Sequence, residues 1–196
     1  MKDLIQFGPG DSGNPELVTA TYRQPNADTL NTAFNTINAG VVVVYDERQR
    51  GKATLSGTTR TVVGGTPDYS AGNGPNTPVG NVTVLDSSNP VAASSPTKAS
   101  RAKALVYVGG KALSNGQEGQ FVKEGIVQAL LSGAADPGDR LSLDISGATA
   151  ATAGRLKVAA ANDIVQAVCR QKASGAGKYF VEMLATPYQT TTAGNA

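Results

Sequence analysis

Several short stretches of this sequence resemble catalytic motifs, and each lacks a group that its chemistry requires. Residues 10–15, Gly-Asp-Ser-Gly-Asn-Pro, resemble the signature around the nucleophile of chymotrypsin-like proteases. That serine needs an imidazole to accept its proton, and the chain contains no histidine. The triplet at residues 11–13 also resembles the Asp-Ser-Gly of aspartic proteases, whose carboxylate lies between apolar strands. Here glycine, proline and asparagine surround it, so we predict a turn.

Two lysine-containing motifs lack required residues in the same way. Residues 95–98, Ser-Pro-Thr-Lys, have the spacing of penicillin-binding enzymes, in which the serine begins a helix and the lysine follows one turn later. Pro96 and its Ser/Ala-rich surroundings favour a linker instead. Residues 175–178, Gly-Ala-Gly-Lys, resemble a phosphate-binding loop. That loop requires glycine at position 172 and serine or threonine at position 179, where this chain has Lys172 and Tyr179. We predict a hairpin turn.

Metal-ligating side chains are equally sparse. Without histidine and with a single cysteine, zinc and copper have almost no ligands. Asp136, Asp139 and Asp144 carry the oxygen donors that calcium takes, but no EF-hand spacing is present, and Asp-Pro-Gly-Asp is a common turn sequence. No carboxylate pair is singled out for acid–base catalysis. The sequence therefore predicts a protein that is not an enzyme, with no catalytic residue, cofactor or metal site.

The composition favours turns and short strands over long helices. The 196 residues include 23 Gly and 10 Pro, with six Tyr, four Phe and no Trp. Glycine and proline supply turns and close backbone contacts. The lone Cys169 alternates with Val165 and Ala167, so we expect it on a small apolar strand face.

Charge and hydropathy exclude two classes of partner. The 17 basic and 15 acidic residues give a formal net charge of +2, whereas a nucleic-acid groove needs clustered Lys and Arg. No window approaches the 18 consecutive apolar residues of a membrane span, and residues 1–20 lack the apolar segment of a signal peptide. We predict neither nucleic acid nor membrane as a partner.

The predicted elements divide the chain into an arm, a β-rich domain and a tail. Residues 1–38 hold an irregular arm, residues 1–25, and one short helix, residues 26–38. The helix is indicated by an apolar stripe at i, i+3, i+4 and i+7, formed by Leu30, Ala33, Phe34 and Ile37. Residues 39–187 form the β-rich domain, and residues 188–196 form the C-terminal tail.

Within the β-rich domain, turn signals separate short apolar runs at the spacing of a small sandwich or barrel. Two long loops, residues 64–80 and 86–100, interrupt it. No internal repeat is apparent. The fold class is therefore mainly β, a small β-barrel or β-sandwich with an extended N-terminal arm and one short helix. Strands are predicted at residues 41–44, 51–63, 82–85, 105–108, 121–131, 140–144, 155–158, 164–170 and 179–185.

The C-terminal half carries an ordered series of motifs. A Pro-Gly-Asp turn at residues 137–139 is followed by Gly-Arg-Leu-Lys-Val at 154–158, Asp-Ile-Val-Gln-Ala-Val at 163–168 and Phe-Val-Glu-Met-Leu at 180–184. In this order and spacing, residues 125–184 resemble the capsid cement (head decoration) proteins of tailed bacteriophages. The resemblance covers about a third of the chain, and that family offers no catalytic residues to carry over.

This resemblance implies a structural role in a virion. It implies a small β-barrel or β-sandwich on the outer surface of the capsid, where it binds the major capsid protein across joints between subunits and reinforces the shell. It also implies contact with neighbouring copies, with a homotrimer favoured and a dimer possible. Alternatives are another phage β-domain, from a tail or fibre, and a carbohydrate-binding β-module.

The N-terminal arm is the candidate for partner binding. Leu4, Ile5 and Phe7 form a short apolar patch ahead of the Gly/Pro-rich residues 8–15. Arms of this kind extend onto a partner, in some cases by adding a strand to its sheet. We expect these three residues to act as apolar anchors, and deletion of residues 1–20 to leave a folded domain that no longer binds.

Overall fold

The structure is a computed structural model. It describes residues 15–22, 35–45, 82–84, 103–144 and 153–194, together with the backbone of residues 54–56, 59–61 and 81. This part of the chain is mainly β and contains no helix. Its strands are β1 (Glu16–Tyr22), β2 (Thr36–Ile37), β3 (Val42–Tyr45), β4 (Thr54–Ser56), β5 (Thr59–Thr61), β6 (Asn81–Thr83), β7 (Ala104–Tyr107), β8 (Leu113–Ser114), β9 (Glu118–Leu131), β10 (Arg140–Asp144), β11 (Arg155–Val158), β12 (Ile164–Cys169) and β13 (Gly177–Gln189).

Five strands of the C-terminal half close into a β-barrel. Going round it, the order is β9, β11, β10, β12 and β13, and β13 pairs back onto β9. Only the β9–β11 contact is parallel, at Leu131 and Leu156. Alternate residues point inwards, as strand geometry requires: Val181 and Met183 are buried while Phe180, Glu182 and Leu184 are only partly so. We call these five strands the C-terminal barrel.

Strands from the N-terminal half form a second ring of pairings. Its order is β1, β6, β3, β7 and β9, and β9 pairs back onto β1. The β-branched run at Val42, Val43 and Val44 is buried on both faces, because one face points into this ring and the other packs against the C-terminal barrel. We call these five strands the N-terminal ring. The 14-residue strand β9 belongs to both rings.

Two hydrophobic clusters fill the molecule. One lies inside the N-terminal ring, where Tyr107 and Phe121 pack with ring centroids 5.4 Å apart. The other fills the C-terminal barrel and also takes in the outward-facing Val106 and Val122 of the N-terminal ring. Because this second cluster contains residues of both rings, burial of apolar surface holds the rings together.

The strand predictions from residue 41 onwards are confirmed, within a few residues at the ends, with one exception. Strands 140–144 and 155–158 are placed as predicted. The single strand predicted for residues 51–63 is wrong, because this region holds two short strands, β4 and β5, that pair antiparallel. Cys169 lies on a buried face with Val165 and Ala167. The long loops predicted at residues 64–80 and 86–100 lie outside the described residues.

The predictions for the two ends need correction. The irregular arm was expected to reach residue 25, but β1 occupies Glu16–Tyr22 and pairs with β9 and β6. The helix expected over residues 26–38 cannot extend to residue 38, because Thr36 and Ile37 form strand β2, which pairs with β8. Ile37 is buried in the N-terminal ring, so tertiary packing, not a helical stripe, explains its apolar character. Residues 26–34 lie outside the described part.

The predicted C-terminal tail, residues 188–196, is docked in its described portion. Strand β13 continues to Gln189, and Thr190 and Gly194 are buried. The Gly194 amide donates to the Ala159 carbonyl, and the Arg140 amide donates to the Gly194 carbonyl. The Arg140 guanidinium also bonds the Thr190 hydroxyl at 3.2 Å. These bonds hold the end of the chain between β10 and β11.

Candidate interaction surface

Pro15, the first described residue, lies at the junction between the two rings. Strands β1 and β13 lie end to end along one edge of β9: Met183 pairs with Gly125, and Glu16 pairs with Glu124. Pro15, which joins the described residues to the segment expected to bind a partner, therefore lies where β13 gives way to β1 along β9.

A glycine makes this attachment possible. Gly125 has a φ of +100°, in the region that favours glycine. A Cβ atom at this position would lie 3.0 Å from the Cα atom of Pro15. The absence of a side chain at Gly125 therefore allows Pro15 to approach β9 where one ring gives way to the other.

Charged side chains surround the junction. The Lys123 ammonium lies 2.8 Å from a Glu16 carboxylate oxygen, and both side chains are substantially exposed. This hydrogen bond raises the pKa of Lys123 above its ordinary value. Exposed pairs of this kind contribute little to stability. The pair joins Glu16, the first residue of β1, to β9 and makes the surface at the junction polar.

Lys103 connects the two rings at the same place. Its ammonium donates to the backbone carbonyls of Leu184 and Ala185 in β13, the latter at 3.2 Å, while the residue itself immediately precedes β7. Burial lowers the pKa of Lys103, and the carboxylate of Glu124 opposes part of that shift. Through these two hydrogen bonds, Lys103 ties the start of β7 in the N-terminal ring to β13 in the C-terminal barrel.

The carbonyls that Lys103 holds belong to an interruption in β13. Met183 pairs with Ala167 and Tyr188 pairs with Val165, so four residues of β13 stand opposite Gln166 alone. The buried Gln166 side chain accepts a hydrogen bond from the Ala104 amide at 3.1 Å. This bulge in the pairing of β12 with β13 is thus where Lys103 and Ala104, at the start of β7, bond to the C-terminal barrel.

The described surface offers few large apolar anchors. Among the residues with described side chains, only Leu17 and Tyr188 are exposed large hydrophobics, at 44% and 45%. The predicted anchors Leu4, Ile5 and Phe7 lie outside the described residues, so the structure does not place them. What sequence reasoning missed is the junction itself, since Lys103 and Leu184 are 81 residues apart in the chain and no local pattern links them.

The catalytic look-alikes that fall in the described part have structural roles. Residues 170–176 connect β12 to β13 as the predicted turn. In the Asp-Pro-Gly-Asp turn, the Asp139 carboxylate accepts from the Asp136 amide at 2.8 Å, and Gly138 has a φ of +98°. No group of three metal-ligating side chains occurs among the described residues. The motifs at residues 10–13 and 95–98 fall outside them.

Cys169 is buried. Its thiol donates to the Gln171 carbonyl at 3.0 Å, and burial raises the pKa of the thiol. A raised pKa keeps the sulfur as the unreactive thiol, because the thiolate is the nucleophile. This agrees with the expectation that Cys169 acts as a small apolar residue in the core.

Comparison with known proteins returned no relative. No family model, curated protein or solved structure matches this chain. Over the part of the chain that the structure describes, no helix is long and apolar enough to cross a membrane.

Proposed function

We propose that this protein is a structural component of a tailed-phage virion, without enzymatic activity, that binds the outer surface of the head. Its partners are the major capsid protein and neighbouring copies of itself, with a trimer favoured over a dimer. In this role it stabilises contacts between major capsid subunits.

One observation carries the proposal: the segment that resembles the cement proteins coincides with a complete closed barrel. Residues 125–184 span the part of β9 that pairs with β13, the strands β10 to β12, and most of β13. The Pro-Gly-Asp motif forms the turn into β10, and the Gly-Arg-Leu-Lys-Val motif forms β11. The motifs that carry the resemblance thus all lie in the C-terminal barrel.

The attachment point of the arm supports a clamp-like mode of binding. Pro15, the residue that follows the arm, lies at the junction between the rings, and in this proposal the barrel and the arm contact different subunits. Bridging two subunits with modest contacts gains avidity, because the second contact forms at high effective concentration. Leu4, Ile5 and Phe7 supply apolar side chains for the arm's contact.

The test is binding to purified heads that lack this protein. A deletion must end at residue 14, because removal of residues 1–20 would take away most of β1, including the buried Ala20. We expect the chain lacking residues 1–14 to keep its thermal transition and lose sedimentation with heads. In the full chain, joint replacement of Leu4, Ile5 and Phe7 by serine should have the same effect.

The matched control replaces three polar arm residues, Lys2, Gln6 and Asp11, by serine, and it should bind heads as the unchanged protein does. Normal binding by the Leu4, Ile5 and Phe7 variant would show that these side chains are not anchors. Electron microscopy with labelled protein separates the alternatives: signal over the whole head supports the proposal, whereas signal on the tail contradicts it. Micromolar binding to a glycan with no binding to heads would favour the carbohydrate module.

A further inference from the structure

The two rings have the same topology. Numbered in chain order, the strands of the N-terminal ring are β1, β3, β6, β7 and β9, and those of the C-terminal barrel are β9, β10, β11, β12 and β13. Both close in the order first, third, second, fourth, fifth. In both, the contact between the first and third strands is parallel and the other four contacts are antiparallel.

The register of the pairings also agrees. Matching Val18 with Val127 aligns their partners Phe121 and Val181 across the first and fifth strands. The pairs of interior residues then follow without adjustment, and the two rings depart from this register only at bulges, such as the one where Ser142 pairs with Val165. The matched pairs are Ala20–Gly119 with Ala129–Tyr179, Tyr22–Val82 with Leu131–Leu156, Tyr45–Val82 with Leu143–Leu156, Val43–Leu105 with Leu141–Ala167, and Tyr107–Phe121 with Cys169–Val181.

Matched residues have matched roles. Those from the N-terminal ring belong to its interior cluster, except Gly119, which has no side chain, and those from the C-terminal barrel belong to the other cluster. Each cluster also has a tyrosine packed on a small residue of the fifth strand: Tyr107 lies against Gly119, and Tyr179, which is partly buried, lies against Gly177. A one-residue slip would turn these residues outwards.

We infer that the chain contains two copies of one five-stranded barrel, fused so that β9 is the last strand of the first copy and the first strand of the second. The glycine conformation at Gly125 marks the point where β9 passes from one copy to the other.

The duplication is one of strand topology and is compatible with the absence of an apparent repeat in the sequence. Matched strands share little beyond an apolar pattern, as in Leu-Val-Thr-Ala-Thr-Tyr at 17–22 and Ile-Val-Gln-Ala-Leu-Leu at 126–131. The connections differ in length: residues 46–80 separate β3 from β6, whereas residues 145–154 separate the matching β10 from β11. Unequal connections hide a repeat from any search at a fixed period.

Nuclear magnetic resonance of the full chain tests the duplication without reference to function. We expect cross-strand contacts between Tyr22 and Val82, in the parallel β1–β6 pair, to accompany those between Leu131 and Leu156. Antiparallel or absent β1–β6 pairing would overturn the inference, because the two topologies would then differ.

Discussion

At the scale of single residues, the described part of the protein is held by close backbone contacts that its small residues permit. Gly194 is the clearest case, since a Cβ atom there would lie 2.5 Å from the Arg140 carbonyl oxygen and 3.0 Å from the Ala159 amide nitrogen. Gly125 serves the same purpose beside Pro15. A glycine-rich sequence thus gains tight packing where larger residues would force strands apart.

Gly194→Ala should lower the free energy of unfolding by about 1–3 kcal/mol, the usual effect of forcing a group into a packed site. Urea denaturation measures it. Gly175→Ala is the matched control, because its Cβ atom would meet nothing within 4 Å, and it should change stability by less than about 0.5 kcal/mol. Equal effects of the two substitutions would show that the C-terminal segment is not docked between β10 and β11.

Cys169 should resist thiol reagents in the native protein. The residue is fully buried and its pKa is raised, so reaction requires opening of the structure. A chromogenic disulfide at neutral pH should react slowly with the native chain and at once with the urea-unfolded chain. Fast labelling of the folded protein would mean that β12 is open to solvent.

At the scale of elements, the tie from Lys103 to β13 predicts a pH dependence of stability. The pKa of Lys103 is lowered below its ordinary value of 10.5 in the folded state. Between the folded and unfolded pKa values the unfolded chain binds more protons, so the free energy of unfolding contributed by this group rises with pH. This increase levels off once the pH exceeds 10.5, where Lys103 is deprotonated in both states.

Lys103→Met should therefore be less stable than the unchanged protein at neutral pH, because two β13 carbonyls lose their donor, and the gap should widen as the pH approaches 10.5. Denaturant midpoints at several pH values measure it. Lys172→Met is the control, since that side chain is 78% exposed. Burial raises the pKa of Tyr107 above its ordinary value of 10.0. This lowers the free energy of unfolding as the pH rises past 10.0, but it does so equally in all variants. A constant gap would contradict the buried tie.

For the whole molecule, sharing β9 and one hydrophobic cluster predicts a single cooperative unfolding transition. Leu105 in the N-terminal ring and Leu141 in the C-terminal barrel are fully buried. Replacing either one by alanine should lower the free energy of unfolding by about 2–5 kcal/mol and shift the entire calorimetric transition. Two transitions, with each substitution moving only one of them, would show that the rings fold independently.

The sequence by itself determined the fold class and most of the strands from residue 41 onwards, because period-two apolar patterns and turn residues act locally. It also predicted the small apolar strand face on which Cys169 lies. It could not identify β1, because that segment follows Gly/Pro-rich residues that predict an irregular arm. It also could not show that Ile37 lies in a strand, because its apolar side chain fits a helix stripe and a strand face equally.

Only the tertiary structure decided how the strands close into two rings, that Pro15 lies at their junction, and that β9 serves both. These features depend on pairings between residues far apart in the chain, such as Tyr22 with Val82 and Lys103 with Leu184. Hydrogen-bonded pairing of backbones carries no side-chain code of its own, and register emerges when one face of every strand is buried together. The duplication is therefore visible in the pairing of strands and not in the order of residues.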